Sequence, residues 1–523
     1  MDFVLALHSH LPYVLNHGRW PHGSDWLCEA ALDTYLPLLE ELEALAAEKT
    51  PAPVTIGFTP VLANQLASPA FVQEMEAFFA QRLTACDEVP PSVGPLVEFW
   101  RSRFKRLQKL FQRIDGDLVG AFRRLQDRGL LEIIGSAATH GYLPLLTRPE
   151  SIRLQLAVGQ HEHRRLFGVA PAGCWLPECA YRPGIEKFLG EAGFRFFFTD
   201  SHLAHAGTPL RAYGDGPHPT AEWHGKTNKS PYQAYRVSQR AGRGSVAALV
   251  RDPRSSMQIW SRHQGYPGDE WYLEFHKIRW PGGIKLWRVT GANVDLGGKR
   301  PYEPQRAFER AAGHASHFAH LLDSLPEGKP NDKAGVIVAP FDTELFGHWW
   351  FEGPDFLSAA YRALKGRSVR AVTASQHLQA HPPRMALQLA EGSWGANGDH
   401  SMWLNDQTAW TWKRLKPLEA EFWKVAPAAL KNPAARPVLA QAARELLLAQ
   451  SSDWQFIIST GAVVDYAERR FTLHCDDAER LIATLGPKGS LESGARIADD
   501  LAKRDDLFPD VLAQVAEALR GPS

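Results

Sequence analysis

Short apolar runs recur along the chain, separated by segments in which apolar residues follow a helical period. The runs lie at residues 3–7, 54–58, 131–134, 174–176, 194–198, 246–250, 284–289, 335–339 and 369–372. Strands that alternate with helices predict an α/β protein with a mostly parallel sheet. Seven to nine such units indicate a closed βα barrel of irregular form.

The helical segments differ in length and in position. Residues 31–47 carry leucines three apart, which places them on one stripe of a helix. Residues from about 70 to 128 form a longer helical segment, and we expect it to be a subdomain inserted after the second strand. Beyond about residue 380 the strand pattern fades, and residues 415–449 and 462–518 have a mainly helical pattern.

These patterns predict how the chain is organised. We expect a catalytic barrel over residues 1–380 and a helical C-terminal domain over residues 381–523 that contributes to the substrate groove. Residues 203–230 are rich in Gly, Pro and polar residues and predict a long loop. Long loops in compact domains are often functional, so we place this loop beside the active site.

The charge balance narrows the range of partners. The chain has 523 residues, with 58 Lys plus Arg and 58 Asp plus Glu. A net charge of zero favours neither nucleic acid nor an anionic membrane, and it suits a neutral polymer. No apolar run could span a bilayer, and the N-terminus lacks the basic region of a signal peptide. The five cysteines, an odd number, argue against a disulfide framework, and we expect a cytoplasmic monomer or weak homo-oligomer.

Polar residues follow several predicted strands, where a barrel places its active site. These residues are His8, His10, His140, Glu178, Asp200, His202, Asp342 and Glu344. Two of the carboxylates, Glu178 and Asp342, directly follow apolar strands. Cleavage of a glycosidic bond requires such a pair, because one group protonates the leaving oxygen while the other attacks or activates water. The plainer alternative is that each carboxylate only caps a following helix.

The pair His8 and His10 supports a rival interpretation. Zinc hydrolases of the amidohydrolase type also begin with a His-x-His motif on the first barrel strand, and neutral imidazoles are good zinc ligands. His140, His202 and Asp342 could complete such a site, and spacing alone does not exclude it. In a third interpretation the histidines only form hydrogen bonds, with a ligand or with one another.

Seventeen tryptophans are many for a chain of this length. We expect most of them to fill the core, because each buries a large area. The tryptophans that lie near polar residues could instead stack on the C–H faces of sugar rings. Tryptophan content alone does not decide between these two roles.

Five segments, HSHLPY, ATHGYLPLL, WLPECAYRPG, PFDTELFGHWWFEG and SSDW, resemble in order and spacing the five regions of glycoside hydrolase family 57. Two more, QIWSRHQGYPGDEWYLEFH and EGSWGANGDHSMWLND, resemble the 1,4-α-glucan branching enzymes of that family. The resemblance runs from Phe3 to beyond Trp454. It implies a distorted seven-stranded (β/α) barrel with an inserted helical subdomain, a helical C-terminal domain, and no metal or other cofactor.

The resemblance also implies roles for single residues. Glu178 would be the nucleophile and Asp342 the general acid/base. Other positions would surround the glucose beside the cleavage point, contact substrate or line its groove: His8, His10, His140, Tyr213, Arg251, Trp260, the backbone near Gly268, Trp394, Trp403 and Asp453. Tyr213 would cover the active site, unless it only anchors its loop. Gly184 follows Pro183 directly in this chain, whereas some relatives carry a proline-rich insertion at this point. We therefore expect the rim of the groove to differ from that of those relatives.

The implied reaction is a retaining double displacement on an α-1,4-glucan, such as amylose or glycogen, as donor and acceptor. Asp342 must rest protonated and Glu178 ionised, and we expect the charge of Glu178 to raise the pKa of Asp342. A 6-hydroxyl acceptor gives the branches of glycogen biosynthesis, a 4-hydroxyl gives the product of a 4-α-glucanotransferase, and water gives hydrolysis of the α-amylase kind. A non-catalytic glucan-binding protein fits two intact carboxylates less well.

Overall fold

The computed structural model describes residues 1–89, 94–205, 229–237, 246–261, 265–280, 282–325, 334–383 and 385–521. Its strands are, in chain order, β1 (Asp2–Ser9), β2 (Val54–Phe58), β3 (Glu132–Ser136), β4 (Gly173–Trp175), β5 (Phe196–Thr199), β6 (Tyr235–Val237), β7 (Val246–Val250), β8 (Ile278–Arg279), β9 (Ile284–Lys285), β10 (Val336–Asp342), β11 (Arg370–Ala371) and β12 (Met385–Leu387). Strands β2 and β7 have the bounds of the predicted apolar runs, and β1, β3, β4, β5, β10 and β11 overlap theirs.

Seven of these strands form a continuous parallel sheet in the order β10-β1-β2-β3-β4-β5-β7. The sheet curls until Arg251, directly after β7, forms an isolated parallel bridge with Val338 in β10. Across this seam the Asp252 N–H donates to the Val338 carbonyl oxygen at 2.8 Å. The seven parallel strands and the seam confirm the predicted distorted barrel. Three short strands extend the sheet, since β6 and β12 continue beyond β7 and β11 pairs with β1.

The barrel strands are apolar on both faces, because one face lines the interior and the other packs against helices. All eight residues of β1 are buried. Val4 and Ala6 belong to the interior cluster, whereas Leu5 and Leu7 pack in the larger core beneath the helices. Trp175 also belongs to the interior cluster, so side chains fill the barrel.

The helices, in chain order, are α1 (Ser24–Ala30), α2 (Leu36–Ala47), α3 (Pro60–Leu66), α4 (Pro69–Asp87), α5 (Gly94–Arg113), α6 (Leu118–Asp127), α7 (Pro149–Phe167), α8 (Ile185–Glu191), α9 (Ser201–Ala204), α10 (Pro253–Trp260), α11 (Pro304–Ser324), α12 (Gly353–Leu364), α13 (Ala374–Ala380), α14 (Ala409–Lys431), α15 (Arg436–Ala449), α16 (Asp453–Thr460), α17 (Val464–Leu485), α18 (Leu491–Ala502) and α19 (Val511–Arg520). A π-helical turn, Ala31–Tyr35, joins α1 to α2.

Helices occupy the two regions where the sequence predicts them. Helices α4 to α6 lie between β2 and β3, and the elements from α14 to α19 are all helical. The chain returns to the sheet once beyond residue 380, because β12 pairs with β6. The five cysteines are buried and free. No helix in the described part of the chain has the length and apolar character needed to cross a membrane.

One predicted strand does not belong to the barrel. The apolar run at 284–289 contains only the two-residue strand β9, which pairs antiparallel with β8 in a separate hairpin. Gly282 and Gly283, just before β9, have φ of +98° and +68°. Positive φ at consecutive residues suits the tight turn of a hairpin, which glycine adopts without steric cost. The hairpin lies beside the cavity described below, since Phe275, Ile278 and Gly282 line it.

Candidate functional site

The ends of the barrel strands bring together polar residues that are far apart in sequence. Strand β1 pairs in register with β10, which places His8 beside Asp342. The strand ends open into a cavity of about 770 Å³. Predicted site residues line its inner part: His8, His10, His140, Glu178, Trp260, Asp342, Trp394 and Asp453. Both predicted catalytic carboxyl groups therefore face the same space.

Glu178 reaches the cavity from a tight turn directly after β4. It is the central residue of the 3₁₀ turn Pro177–Cys179 and has φ +60° and ψ +23°. Cys179 and His140 also have positive φ, of +47° and +57°. Non-glycine residues in this region are strained by about 1–3 kcal/mol each, and the strain persists only where the surroundings impose it. Strain of this kind clusters at functional sites, which agrees with the position of Glu178 and His140.

Two hydrogen bonds orient the Glu178 carboxyl group. Trp394 Nε1 donates to Oε2 at 3.0 Å, and Ser452 Oγ donates to Oε1 at 3.2 Å. Burial raises the pKa of Glu178 to about 7, the Trp394 hydrogen bond lowers it, and the charge of Asp342 raises it. The Trp394 hydrogen bond therefore favours the ionised form of Glu178 against the effect of burial.

Burial also raises the pKa of Asp342, to about 8. The charge of Glu344 raises this pKa further, and the Arg251 guanidinium lowers it. The direction agrees with the expectation from the sequence, but the largest cause is burial, and the repulsion between the two carboxyl groups acts on the pKa of Glu178. Burial thus favours the protonated form of Asp342, as a general acid requires, whereas the Trp394 hydrogen bond favours the ionised form of Glu178, as a nucleophile requires.

Glu344 is a buried carboxyl group for which the sequence predicts no role. It accepts hydrogen bonds from the Tyr35 hydroxyl and, at 3.1 Å, from the backbone N–H of His10. Burial raises the pKa of Glu344 to about 7. The residue anchors the end of β1 and places a titratable group near Asp342. Its place two residues after Asp342 was the only signal in the sequence.

Three histidines stack on one another at the base of the cavity, and one of them, His8, also stacks on Trp175. The His8 ring lies nearly parallel to Trp175 with centroids 4.7 Å apart, and the His10 and His140 centroids are 4.0 Å apart. The Nε2 atoms of His8 and His140 are 2.9 Å apart, so one donates to the other. Burial and neighbouring histidines hold the pKa of His8 and of His140 well below the usual range. Both rings are therefore neutral.

His10 is paired with a carboxylate. Its Nε2 lies 3.0 Å from Asp453 Oδ2, and its Nδ1 lies 2.9 Å from Thr59 Oγ1. Burial opposes the ionisation of Asp453, but His10 outweighs it and lowers the pKa of Asp453 to about 2. Asp453 is therefore ionised at neutral pH, and the pair offers both a donor and an acceptor at the cavity wall.

The contacts do not favour the zinc interpretation. Among the described residues, His10, His140 and Asp453 offer ligand atoms within 4.8 Å of one another. However, each ring nitrogen of the two histidines already has a hydrogen-bond partner. His202, a predicted ligand, lies in another network, with Nδ1 3.1 Å from Asp200 Oδ1 and Nε2 2.8 Å from a backbone carbonyl. The predicted ligand set is not assembled.

Two tryptophans form the wall beside Glu178. The rings of Trp394 and Trp260 are tilted against each other with centroids 6.3 Å apart. Arg251 is buried, pairs with Asp200 at 3.2 Å, and has its guanidinium 5.7 Å from the Trp394 ring. Arg251, which was predicted to contact substrate, thus lies behind the tryptophan wall. Its positive charge acts on the site by lowering the pKa of Asp342.

Besides Arg251, two more predicted binding residues do not line the cavity, and another, Tyr213, cannot be placed. Trp403 was expected to line the groove, but it is fully buried and stacks on Tyr142 with centroids 4.5 Å apart. Its ring supports the wall because its faces are covered by protein. Gly268 ends the turn Tyr266–Gly268 away from the cavity lining. Tyr213 lies outside the described residues.

The outer part of the cavity consists of residues that the sequence did not single out. They come from helix α1, from the β8–β9 hairpin, from the segment after Asp342 and from α16: Glu29, Phe275, Trp280, His348, Trp349 and Phe456. Their spacing in the chain gives no sign that they meet. The adjacent pair His348 and Trp349, inside a segment already noted, was the only available signal.

A closed barrel with two buried carboxyl groups in an aromatic cavity defines a class, the enzymes that cleave glycosidic bonds with paired carboxylates. Comparison with family models agrees. Residues 4–390 match the model of glycosyl hydrolase family 57, and residues 415–515 match the model described as 1,4-alpha-glucan branching enzyme, C-terminal. The chain belongs to glycosyl hydrolase family 57.

Individual relatives match over nearly the whole chain. A 1,4-alpha-glucan branching enzyme of Thermococcus kodakarensis is 40% identical over 97% of this chain and 77% of its own length. The crystal structure of a branching enzyme of this family from Thermococcus kodakaraensis has a TM-score of 0.90 at 38% identity, covering 98% of this chain and 96% of that chain. A branching enzyme structure from Pyrococcus horikoshii has a TM-score of 0.90 at 37% identity, covering 100% and 97%. The likeness includes both the barrel and the C-terminal helices.

Proposed function

We propose that this protein is a 1,4-α-glucan branching enzyme, which cleaves an α-1,4-glucan and transfers the released chain to a 6-hydroxyl group. The observation that carries the proposal is that Glu178 and Asp342, two carboxyl groups whose pKa values are raised by desolvation, line one aromatic cavity. The relatives that match along the whole chain are named branching enzymes. They favour branching over the hydrolase, glucanotransferase and zinc alternatives.

The first half of the reaction breaks the α-1,4 bond. The Glu178 carboxylate attacks the anomeric carbon, and Asp342 gives its proton to the departing glycosidic oxygen. The product is a glucosyl ester of Glu178 and a free 4-hydroxyl on the leaving chain. The Trp394 and Ser452 hydrogen bonds hold the carboxylate in one orientation before substrate binds. Preorganisation of this kind lowers the cost of reaching the transition state.

The second half makes the branch. Asp342, now ionised, removes the proton from an acceptor hydroxyl whose oxygen attacks the anomeric carbon and releases Glu178. Two displacements on the same carbon retain the α configuration. The acceptor determines the product, since a 6-hydroxyl gives a branch, a 4-hydroxyl a redistributed chain and water a hydrolysed one.

The histidine stack and the aromatic wall are assigned to substrate binding. His8 and His140 are neutral and line the cavity, and a sugar hydroxyl that binds to either ring takes the place of one of its present hydrogen-bond partners. The pair of His10 and Asp453 adds a charged acceptor at the same place. Trp394 presents a flat apolar ring, which suits the C–H face of a glucose unit.

We place the reaction in glycogen biosynthesis in the cytoplasm, with α-1,4-glucan as donor and acceptor. The zero net charge fits a neutral polymer. We infer that the enzyme acts as a monomer or a weak homo-oligomer. Carboxylate attack and proton transfer supply the whole reaction, so we expect activity to survive dialysis against a chelator.

The test is to incubate the protein with amylose and to follow α-1,6 linkages by proton NMR and reducing ends in the same sample. With the wild type we expect α-1,6 signals to grow with few new reducing ends. With Glu178→Gln neither α-1,6 signals nor reducing ends should increase. New reducing ends without α-1,6 signals would instead identify a hydrolase. Redistributed chain lengths without α-1,6 signals would identify a 4-α-glucanotransferase.

A further inference from the structure

A charged cluster lies beneath the outer end of the cavity, apart from the carboxyl groups that react. Lys285 is buried, and its Nζ lies 2.9 Å from Asp33 Oδ2 and 3.5 Å from Glu29 Oε1. Glu29 is 25% exposed and lines the cavity together with His348. Lys285 therefore fixes the Glu29 carboxylate in a position where it can meet a ligand in the cavity.

The His348 ring closes the cluster on the side of the cavity. Its side chain is 8% exposed, and its buried Nδ1 lies 3.9 Å from Asp33 Oδ2, at the outer limit of an ion pair. Among the described residues, its backbone N–H donates to Thr34 Oγ1 at 3.0 Å. The ring packs edge-on against Phe275 with centroids 5.2 Å apart. Because the ring lines the cavity and no hydrogen bond of normal length holds it within the described residues, it is available to a ligand there.

The cluster is not arranged for a metal ion. Glu29, Asp33 and His348 offer ligand atoms within 4.8 Å of one another. The ammonium group of Lys285 already lies against both carboxylates and supplies the positive charge that a cation would bring. A second cation at this place would be repelled by it.

A row of aromatic rings connects the cluster to the nucleophile. Trp349 is 42% exposed and packs edge-on against Trp260 with centroids 6.3 Å apart. Trp260 lies 6.3 Å from Trp394, which donates to Glu178. A ligand at His348 and Trp349 is thus two ring-to-ring steps from the wall residue that holds the nucleophile. A single glucose unit cannot reach both ends, but a glucan of several units can.

We propose that Glu29, His348 and Trp349 form a second subsite for the α-glucan chain, remote from the cleavage point. Glu29 accepts a hydrogen bond from a sugar hydroxyl, His348 forms a second one, and Trp349 stacks on a ring. A planar carboxylate, an imidazole and an exposed indole together are the groups that bind a neutral polyhydroxylated chain. The proposal rests on the proposed function for the identity of the ligand. It makes binding depend on chain length, because only longer chains span both parts of the cavity.

The test compares the binding of a short and a long maltooligosaccharide by calorimetry, in protein that carries Glu178→Gln so that neither sugar is consumed. In this background Glu29→Gln should weaken maltoheptaose binding by about 3- to 10-fold, because a neutral amide oxygen accepts a weaker hydrogen bond than a carboxylate does. Maltotriose binding at the inner site should change by less than this. Trp349→Ala, a change at an exposed ring, should show the same difference and remains usable if Glu29→Gln does not fold.

The matched control is Glu40→Gln. Glu40 has the same exposure, 26%, and pairs with a cation, Arg106, at 2.8 Å, but lies outside the cavity. It should leave both affinities unchanged. Equal weakening of both sugars by Glu29→Gln and Trp349→Ala, or no weakening of either, would overturn the subsite. Branching of amylose by the wild type is measured separately, so a chain-length effect without α-1,6 linkages would overturn the proposed function and leave the subsite standing.

Discussion

The inner and outer halves of the cavity hold their polar groups in opposite ways. In the inner half, burial raises the pKa of Glu178 to about 7 and that of Asp342 to about 8. In the outer half the carboxylate of Glu29 is ion-paired with Lys285, and Trp349 is 42% exposed. Desolvated carboxyl groups that exchange protons near neutral pH suit chemistry, whereas an ion-paired cluster beside open aromatic rings suits binding. Changes in the inner half should therefore affect the rate, and changes in the outer half the affinity.

The largest effect is expected at the nucleophile. Glu178→Gln keeps the size of the side chain but cannot attack the anomeric carbon, so activity on amylose should fall by about 10⁴-fold or more. Thermal unfolding should show an intact fold, and Glu40→Gln should retain wild-type activity. With Glu178→Ala, azide should restore part of the cleavage of an activated glucoside. Substantial activity in Glu178→Gln would show that another residue is the nucleophile. It would contradict the assignment of catalysis to the inner half of the cavity.

Asp342→Asn should have the next largest effect, because the variant can neither protonate the leaving chain nor deprotonate the acceptor. Loss of general acid/base catalysis costs about 10²- to 10⁴-fold. Substrates with activated leaving groups need no proton for cleavage, so they should lose less. An equal loss for natural and activated substrates would indicate that Asp342 is not the acid.

Trp394→Phe should shift the pH profile. The hydrogen bond from Trp394 lowers the pKa of Glu178, so its removal raises that pKa. Ionised Glu178 is the reactive form, and the acid limb of kcat/KM should therefore move to higher pH. Activity at pH 6 should fall more than activity at pH 8. Trp260→Phe, which removes a neighbouring ring without a bond to Glu178, serves as the control, and an equal shift in both variants would contradict the account.

The smallest effect is on stability. The folded-state pKa of Asp342, about 8, lies above the ordinary value of 3.8 for an aspartate side chain, so the wild type loses stability as pH rises from about 4 through 8. Asp342→Asn has no charge to bury, and its melting temperature relative to the wild type should increase over that interval. Melting curves at pH 5 and pH 8.5 measure this difference. A relative melting temperature that does not depend on pH would mean that the carboxyl group is not desolvated.

The sequence predicts the inner half well because its residues follow barrel strands directly. His8, Glu178 and Asp342 each lie at the end of a strand whose apolar pattern is regular, and parallel strands bring such ends together. No comparable rule predicts from the sequence which residues meet in the outer half. Glu29, Lys285 and His348 meet only through the packing of a helix, a hairpin and a loop.

Two local errors have the same origin. The apolar run at 284–289 was predicted as a barrel strand, but the two glycines before it form a hairpin turn instead. The ring of Trp403 was predicted to face substrate, but it is covered by Tyr142. Apolar character in a sequence indicates that a residue packs against something. Whether its partner is the barrel, another side chain or a substrate is decided only by tertiary packing. The source of the raised pKa of Asp342 was equally hidden, since burial and Glu344 depend on the folded site.

The most direct test of the central claim is to trap the covalent intermediate. A fluorinated, activated α-glucosyl donor should glycosylate the enzyme, and the resulting glucosyl ester should break down slowly enough for mass spectrometry of the intact protein, followed by peptide mapping. The account predicts one glucosyl adduct per chain, on the peptide that contains Glu178, and none in Glu178→Gln. An adduct on Asp342, or cleavage of the donor by active enzyme without any adduct, would contradict it.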